Sequence, residues 1–537
     1  MPTLNWIGRK AVENHHLQVP FHLLKDVPDL SVGDPGTGNL IVEGDNLLAL
    51  KALLPYYGGQ VKCIYIDPPY NTGEENWIYN DNVNSPEMRS WLGRVVGGEL
   101  DDLSRHDKWL CMMYPRLNLL REMLREDGVI FVSIDDNEVA HLHNIMRDVF
   151  GAGNFLANIV WQKRTSPDAR LHLGPAHDFV VAYARNLAKL KPTLKKVPAS
   201  GERTKAYKNP DNDPRGPWAS VDLTGQTGHA TPDQFYKIPT PTGTKLKPPS
   251  GRCWALAERT FLDLIADNRV WFGKTGRSRP RLKKFLHESE GVTTWTWWPH
   301  VEVGHNQEAT QELNDIMGRA DVFDNPKPTR LIRRLLQLAT EKDSIILDAF
   351  PGSGTTGHAV MQLNREDDGN RRFILAEIES NICRNVTAER LRRVCEGYKN
   401  GGGKQVEGFG GGFRFATLGE ALFDERGNIR NTVRFPDLAR HVYFVETGEP
   451  LPHRAQANSP LVGVCRGTAV YLLYNGILKD KSPDGGNVLT TPVLSALPPH
   501  DGPRVIYGTA CRLGPERLRR EGIVFKQLPY KLRVDAP

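Results

Sequence analysis

Ile64-Tyr65-Ile66-Asp67-Pro68-Pro69-Tyr70-Asn71 is the stretch on which the fold of this chain turns. A short β-branched and aromatic run stops at an acid, two prolines and a ring, as a buried strand does when it hands polar chemistry to a stiff loop. The prolines fix φ and donate no N–H, so the loop carbonyls are expected to stay open to donors from outside the chain. Asp67 adds a carboxylate acceptor and Tyr70 a flat face. Acceptors beside a stacking ring suit a planar substrate with an exocyclic amine, such as an adenine or cytosine swung out of a helix.

Around that loop the pattern alternates. Asn39 to Asp45 reads as a strand and Asn46 to about Leu54 as a leucine-rich helix, with Asp45 where an N-cap belongs; a cap and a ligand contact are both open for it. Asn71 to Asp102 lacks periodicity and reads as a long loop. Ser104 and Asp107 form a capping-box signature, and Leu110, Met113, Leu117, Leu120 and Leu124 keep one apolar face until Gly128, with a kink expected at Pro115. Val129 to Ile134 is a strand and Asn137 to Phe150 a helix, and Asn158–Trp161 and Phe179–Tyr183 read as closing strands. Strand, helix, strand, helix implies an α/β, Rossmann-like, doubly wound parallel sheet.

A second informative stretch lies far downstream. Ile345-Ile346-Leu347 reads as a strand and runs into Asp348-Ala349-Phe350-Pro351-Gly352-Ser353-Gly354-Thr355-Thr356-Gly357, directly before a helix. Such a glycine-rich turn lets a ligand approach the backbone and meet the positive helix end. The next strand, Phe373 to Ala376, ends in Glu377, at about the spacing where nucleotide folds hold ribose hydroxyls.

Between these halves proline, glycine, threonine and lysine dominate, which predicts an inserted, loop-rich domain. Lys274, Arg277, Arg279, Arg281, Lys283 and Lys284 fall between Val270 and His287 with no acid among them, and Trp295, Trp297 and Trp298 follow. Cations beside aromatics suit a nucleic-acid surface; a solvated basic face with core tryptophans is the alternative. The expected organisation is an arm over 1–34, a sheet domain over 35–186 and 321–397, an insertion over 187–320, and a small C-terminal α+β domain over 398–537. Glycines of 401–412 suggest a flexible joint, and short strands are expected near Val442-Tyr443-Phe444, Ala469–Leu473 and Val505–Tyr507.

Composition narrows the setting. At 537 residues two to four domains are expected, and 69 lysines and arginines against 63 acids, a net +6, allow local basic surfaces without proving a polyanion partner. Seven scattered cysteines with no CxxC pair argue for reduced thiols in the cytoplasm and against a disulfide framework or zinc site. No apolar run is long enough for a membrane span, and Met1 to Lys10 carries no leader, so a soluble intracellular protein is expected. Gly273-Lys274-Thr275 imitates a phosphate loop, but Asn268 replaces its first glycine, and no Asp-x-Lys or Glu-x-Lys nuclease pair occurs. His141 and His143, two apart on a helix, are expected at the surface rather than on a metal.

Asp67 to Tyr70 together with Asp348 to Thr356 resemble the DNA amino-methyltransferases, in the permuted order of their β class. Gly44–Leu50, Asp67–Gly73, Ser104–Trp109 and Ser133–Glu138 more narrowly resemble the Mod subunits of type III restriction-modification systems, over most of residues 1 to 395. The resemblance implies methyl transfer from S-adenosylmethionine to an exocyclic base nitrogen in double-stranded DNA, with the insertion as target-recognition domain. It implies that Asp348, Phe350, Gly352, Gly354 and Thr355 line the cofactor site, that Glu377 takes the ribose hydroxyls, and that Asp45 faces the cofactor adenine. Phe323, Asn325 and Lys327 match the segment that closes over the methionine end. Asp67 and the Pro68 carbonyl would accept from the target amine within the Asp67-Pro68-Pro69-Tyr70 motif, while Tyr70 stacks on the flipped base. Aspartate in this place implies adenine N6; cytosine N4, and a DNA-recognition subunit without catalysis, stay open. A homodimer and a separate restriction (Res) subunit are implied partners, with the C-terminal domain as a dimerisation or partner surface; no metal is implied.

Overall fold

Every residue of the strand Val61–Ile66 is buried, and it sits in the middle of the main sheet. This computed structural model describes residues 5–72, 105–167, 172–198, 206–288, 291, 293–424, 427–452, 459–474 and 487–528. The expected long loop from Asn71 to Asp102, beyond Thr72, and the Ser104 half of the capping box lie outside the described residues. Across the sheet the strands run His22–Asp26, Gly412–Ala421, Leu40–Glu43, Arg372–Glu377, Ile345–Asp348, Val61–Ile66, Leu124–Ile134, His177–Ala184, Phe155–Gln162 and Trp297–Trp298. From Gly412–Ala421 to Leu124–Ile134 all pairings are parallel, with Ile64 facing Leu347 on one side and Ile130 on the other.

The near-continuous apolar strands are buried on both faces, as parallel strands require. Ile64, Ile66, Ile130 and Val132 point into a core with Leu50, Leu117 and Ile145 of the helices Asn46–Tyr57, Arg105–Met123 and Val139–Phe150. Cys63, Tyr65, Val129 and Phe131 alternate into a second core with Leu335, Val360 and Leu391 of Thr329–Ala339, Thr355–Asp367 and Glu389–Glu396. The sheet is therefore doubly wound. From Val61–Ile66 the chain moves on to one neighbour, Leu124–Ile134; from Ile345–Asp348 it moves to the opposite side, Arg372–Glu377. The junction of these two strands is the switch point where loops part and a crevice opens.

Four expectations are corrected. The segment before residue 34 is part of the sheet, because His22–Asp26 and Val32–Gly33 both pair with Gly412–Ala421. Gly408 and Gly412 are no flexible joint: a Cβ on either would lie 2.2 Å from a backbone carbonyl oxygen, that of Cys395 or Val32, so glycine is there for backbone contact. Val442-Tyr443-Phe444 belongs to the helix Phe435–Thr447, where buried Leu438, Ala439, Val442 and Tyr443 keep helical spacing that outweighs the β propensity of three residues. Finally, Leu124 starts the strand Leu124–Ile134 instead of finishing the helix, which ends at Met123.

The chain divides into two compact units, Lys195–Trp295 and the remainder. The smaller unit is built on the antiparallel sheet Val270–Trp271, Arg281–Phe285, Trp218–Asp222 and the helix Glu258–Ala266, around Leu223, Ile238, Trp254, Phe261 and Phe272. It is shorter than the stretch 187–320, since Leu190 and Ile316 pack into the second core of the main sheet. Toward the C-terminus, Leu461–Cys465, Thr468–Leu472, Arg504–Gly508 and Ile523–Gln527 form a four-stranded sheet, which contributes Val470, Leu472, Val505 and Tyr507 to the first core. Among the described residues no helix is long and apolar enough to cross a membrane.

Candidate active site at the switch point

Because Val61–Ile66 and Ile345–Asp348 are parallel neighbours, their following loops open side by side on a cavity of about 390 Å³. Asp67, Pro68 and Tyr70 line it from one loop, and Asp348, Phe350, Gly352 and Thr355 from the other. Phe323, Asn325 and Lys327 reach it from the segment before Thr329–Ala339. Pro69, Asp45, Gly354 and Glu377 are not part of the lining.

Asp67 is the centre of the first loop. Its Oδ2 lies 2.5 Å from Lys327 Nζ, while its Oδ1 is a buried acceptor without an aligned hydrogen bond, the Tyr70 hydroxyl being the neighbour that leans on the same carboxylate. The same ammonium stands 5.1 Å from the Tyr70 ring centroid, within cation–π reach. Lys327, implied at the methionine end, thus contacts the Asp67 carboxylate. The carbonyls are not all open: Trp109 Nε1 donates to the Pro69 oxygen at 2.7 Å, which ties the loop to the helix Arg105–Met123. Among the described residues no group donates to the Pro68 carbonyl.

The glycine loop is held from behind. Gly352 has φ 48°, and a Cβ there would sit 2.8 Å from Phe323 Cζ, so the phenyl ring packs onto bare backbone. Asp348 Oδ1 accepts from the Phe350 N–H at 2.9 Å and Oδ2 from Thr356 Oγ1 at 2.5 Å. Glu377 accepts from the Gly352 and Glu379 N–H groups, both at 3.0 Å. Burial, partly offset by these bonds, pushes the Asp348 carboxyl up to about 7 and the Glu377 carboxyl to about 8. Asp45 caps its helix through the Leu47 and Leu48 N–H groups, and Asn46 beside it donates to the Ala349 carbonyl at 2.8 Å, joining the two loops.

Buried Arg390 underpins the same loop. It donates to Ser353 Oγ at 3.2 Å, Thr355 Oγ1 at 2.8 Å, Thr329 Oγ1 at 3.1 Å and Glu312 Oε2 at 3.2 Å. It follows a π-helical turn, Cys383–Ala388, whose Thr387 Oγ1 donates to the Gly352 carbonyl at 2.6 Å. Arg390→Met is expected to destabilise the protein by about 3 kcal/mol, because Glu312 loses its cationic partner and several hydroxyls lose a donor; denaturant unfolding measures it.

Among the charged lining residues given no role from the sequence are Asp135, Lys163, Arg164 and Asp178. Lys163 Nζ lies 2.5 Å from Asp178 Oδ1, and burial pushes both aspartates up. Asp135 follows a strand just as Asp67 does, and Asp178 is an acid in a mostly apolar strand. Those signals were available in the sequence; the pairing of Lys163 with Asp178 was not.

In the smaller unit Lys274, Arg277, Arg279, Arg281 and Lys284 are exposed. Lys283 is not: it is 1% exposed and paired with Asp213 at 3.1 Å and with Asp211, so it cannot serve as a phosphate contact. The run lacks acids in sequence, but the fold supplies them from residues 211 and 213. Trp295 is 71% exposed, whereas Trp298 is buried in the main core.

A doubly wound sheet with an acid-proline-proline-tyrosine loop and a glycine loop at its switch point defines the Rossmann-like methyltransferase class. The chain belongs to the DNA methylase family, which it matches over residues 61–389. It is similar to the StyLTI Mod subunit, a type III restriction-modification enzyme of Salmonella typhimurium, with 39% identity over 365 residues, covering 66% of this chain and 54% of that protein. The EcoPI Mod subunit of Escherichia phage P1 is 31% identical over 440 residues, covering 72% and 65%. The type II methyltransferase M.KpnI of Klebsiella pneumoniae is 28% identical over 407 residues, covering 69% and 91%. The chain thus spans between about half and two thirds of the length of the two Mod subunits.

Proposed function

We propose that this chain is an S-adenosylmethionine-dependent, sequence-specific DNA methyltransferase acting on N6 of a flipped adenine, and the modification subunit of a type III restriction-modification system. The observation that carries this reading is that Asp67, whose Oδ1 has no aligned hydrogen bond, and Pro68 line one cavity with the glycine loop. The exocyclic amine is a poor nucleophile because its lone pair is delocalised into the ring. Two acceptors on its hydrogens favour the pyramidal, increasingly positive nitrogen of the transition state. Tyr70 offers the stacking face, and aspartate at 67 suits adenine by the family resemblance. S-adenosylmethionine, when bound, supplies an activated methyl group on a sulfonium centre.

The residues present fit that cofactor. Asp348, Phe350, Gly352, Gly354 and Thr355 would form its bed, Phe323 and Asn325 its cover, Asp45 its adenine side, and the carboxylate of Glu377 would receive ribose hydroxyls. Exposed Lys274, Arg277, Arg279, Arg281 and Lys284 suit DNA phosphates, which assigns target recognition to the smaller unit. Similarity to Mod subunits supports a separate Res partner, and a homodimer joined through residues 398–537 follows from the same resemblance. Seven free thiols suit a cytoplasmic setting.

The test is incubation with labelled cofactor and varied duplex DNA, followed by digestion to nucleosides. N6-methyladenine is expected; N4-methylcytosine would move the target to cytosine, and background counts across many sequences would overturn methyl transfer. A recognition-only protein would show no saturable cofactor binding.

A pH dependence follows from the raised carboxyls. Asp348 and Glu377 hold protons in the folded state that the unfolded chain has released above its ordinary carboxylate range, so both favour folding less as pH rises toward 7 and 8. The thermal midpoint of the cofactor-free protein is expected to fall between pH 6 and roughly 8.5, and Glu377→Gln to flatten that slope. Hydroxyl donors favour the ionised Glu377, so cofactor affinity should rise over the same interval, as calorimetry in buffers of different ionisation heat would record.

A further inference from the structure

Next to Asn71, and outside the cavity lining, three ligand-bearing side chains converge. His106 stands in the first turn of Arg105–Met123, Glu138 at the N-cap of Val139–Phe150, and His141 in that helix's first turn. His106 Nδ1 is 2.7 Å from Glu138 Oε1, and His141 Nδ1 is 2.9 Å from Glu138 Oε2. The imidazole centroids are 4.7 Å apart, and one ligand atom from each residue falls within 4.8 Å of the others. The Glu138 side chain is fully buried while the imidazoles are about one third exposed, giving a carboxylate floor and a side open to water.

The contact between Glu138 Oε2 and His141 Nδ1 is poorly satisfied: both atoms are buried, and at 2.9 Å they face each other without an aligned hydrogen bond. Two buried polar atoms held at contact distance in this way are costly, and a cation that takes a lone pair from each relieves them.

We infer that His106, Glu138 and His141 form a site for one divalent transition-metal ion of the zinc type. Two imidazole nitrogens and one carboxylate oxygen match its ligand preference, with water completing the shell, whereas magnesium and calcium favour oxygen throughout. The seven cysteines take no part in the cluster. The ion replaces protons shared between imidazole and carboxylate, and it clasps the first turns of two helices. Glu138 Oε1 also lies 2.5 Å from Asn71 Nδ2, and Asn71 follows Tyr70 directly with a left-handed φ of 58°. The clasp therefore anchors the far end of the Asp67–Tyr70 loop. This revises the expectation of a chain without metal: His141 pairs not with His143 but with His106, from another helix, which no local spacing reveals.

The full chain, stripped by chelator and dialysed, is titrated with Zn²⁺ by calorimetry and with Co²⁺ by absorption. One equivalent per chain is expected, with a cobalt spectrum free of thiolate charge transfer. His106→Ala and His141→Ala, both on partly exposed positions, should each weaken binding at least about tenfold with the circular dichroism unchanged. Glu138→Gln should do the same; since its burial can compromise folding, the two histidine variants decide. No saturable zinc binding, unaltered affinity in either histidine variant, or thiolate bands that locate the ion on cysteine would overturn the site. The titration uses protein without cofactor or DNA, so it stands or falls apart from the methyl-transfer proposal.

Discussion

Asp67→Asn is expected to slow methyl transfer by on the order of 10²- to 10³-fold while leaving cofactor affinity within about threefold. The amide keeps the shape but can turn a donor toward the target amine, where the carboxylate has only acceptors. It also removes the charge that favours a positive nitrogen in the transition state. A third effect comes from Lys327, whose ammonium at 2.5 Å loses its counter-ion and would stand uncompensated beside that nitrogen. Single-turnover rates with labelled methyl groups, paired with calorimetric cofactor titration, separate chemistry from binding. An unchanged rate would dismiss Asp67 as the amine acceptor.

Lys327→Met should lower the transfer rate about 10- to 100-fold at saturating cofactor and leave cofactor affinity nearly unchanged. The family resemblance implies the reverse, a residue closing over the methionine end. The geometry favours the first reading, because Lys327 Nζ holds Asp67 Oδ2 and lies over the Tyr70 ring, so it fixes the carboxylate and the ring of the motif together. Combining the variant with Asp67→Asn should cost much less than the two separate losses multiplied, since both remove one ion pair. Intact turnover with a tenfold loss of cofactor affinity would return Lys327 to the cofactor.

The sheet was largely legible because its strands are uniform apolar runs that end in turns or acids: Ile64 to Ile66, Val129 to Ile134 and Ile345 to Leu347 admit little else. The two loops of the site were legible for a related reason, since proline and glycine at these positions constrain the backbone before any packing does. What stayed hidden depends on partners distant in the chain. Trp109 reaching the Pro69 carbonyl, Lys327 on Asp67 and Lys163 on Asp178 are pairings that no local pattern encodes. Lys283 misled because its neighbours in sequence are cations and its neighbours in space are acids. Gly408 and Gly412 misled because flexibility and close backbone approach call for the same residue.

The strand Gly412–Ala421 lies between His22–Asp26 and Leu40–Glu43, so an early part of the chain waits for a late part to complete the sheet. During synthesis the Leu40–Glu43 strand, with three of its four residues buried in the finished protein, keeps an open row of backbone donors and acceptors until residue 421 has left the ribosome. A chain stopped short at residue 397 would carry that open edge permanently and should associate edge to edge or be held by chaperones. Production of the protein is thus exposed to premature termination well beyond the last residue of its cavity, and nascent molecules are most vulnerable in the interval when the cavity is already encoded but the sheet is not yet closed.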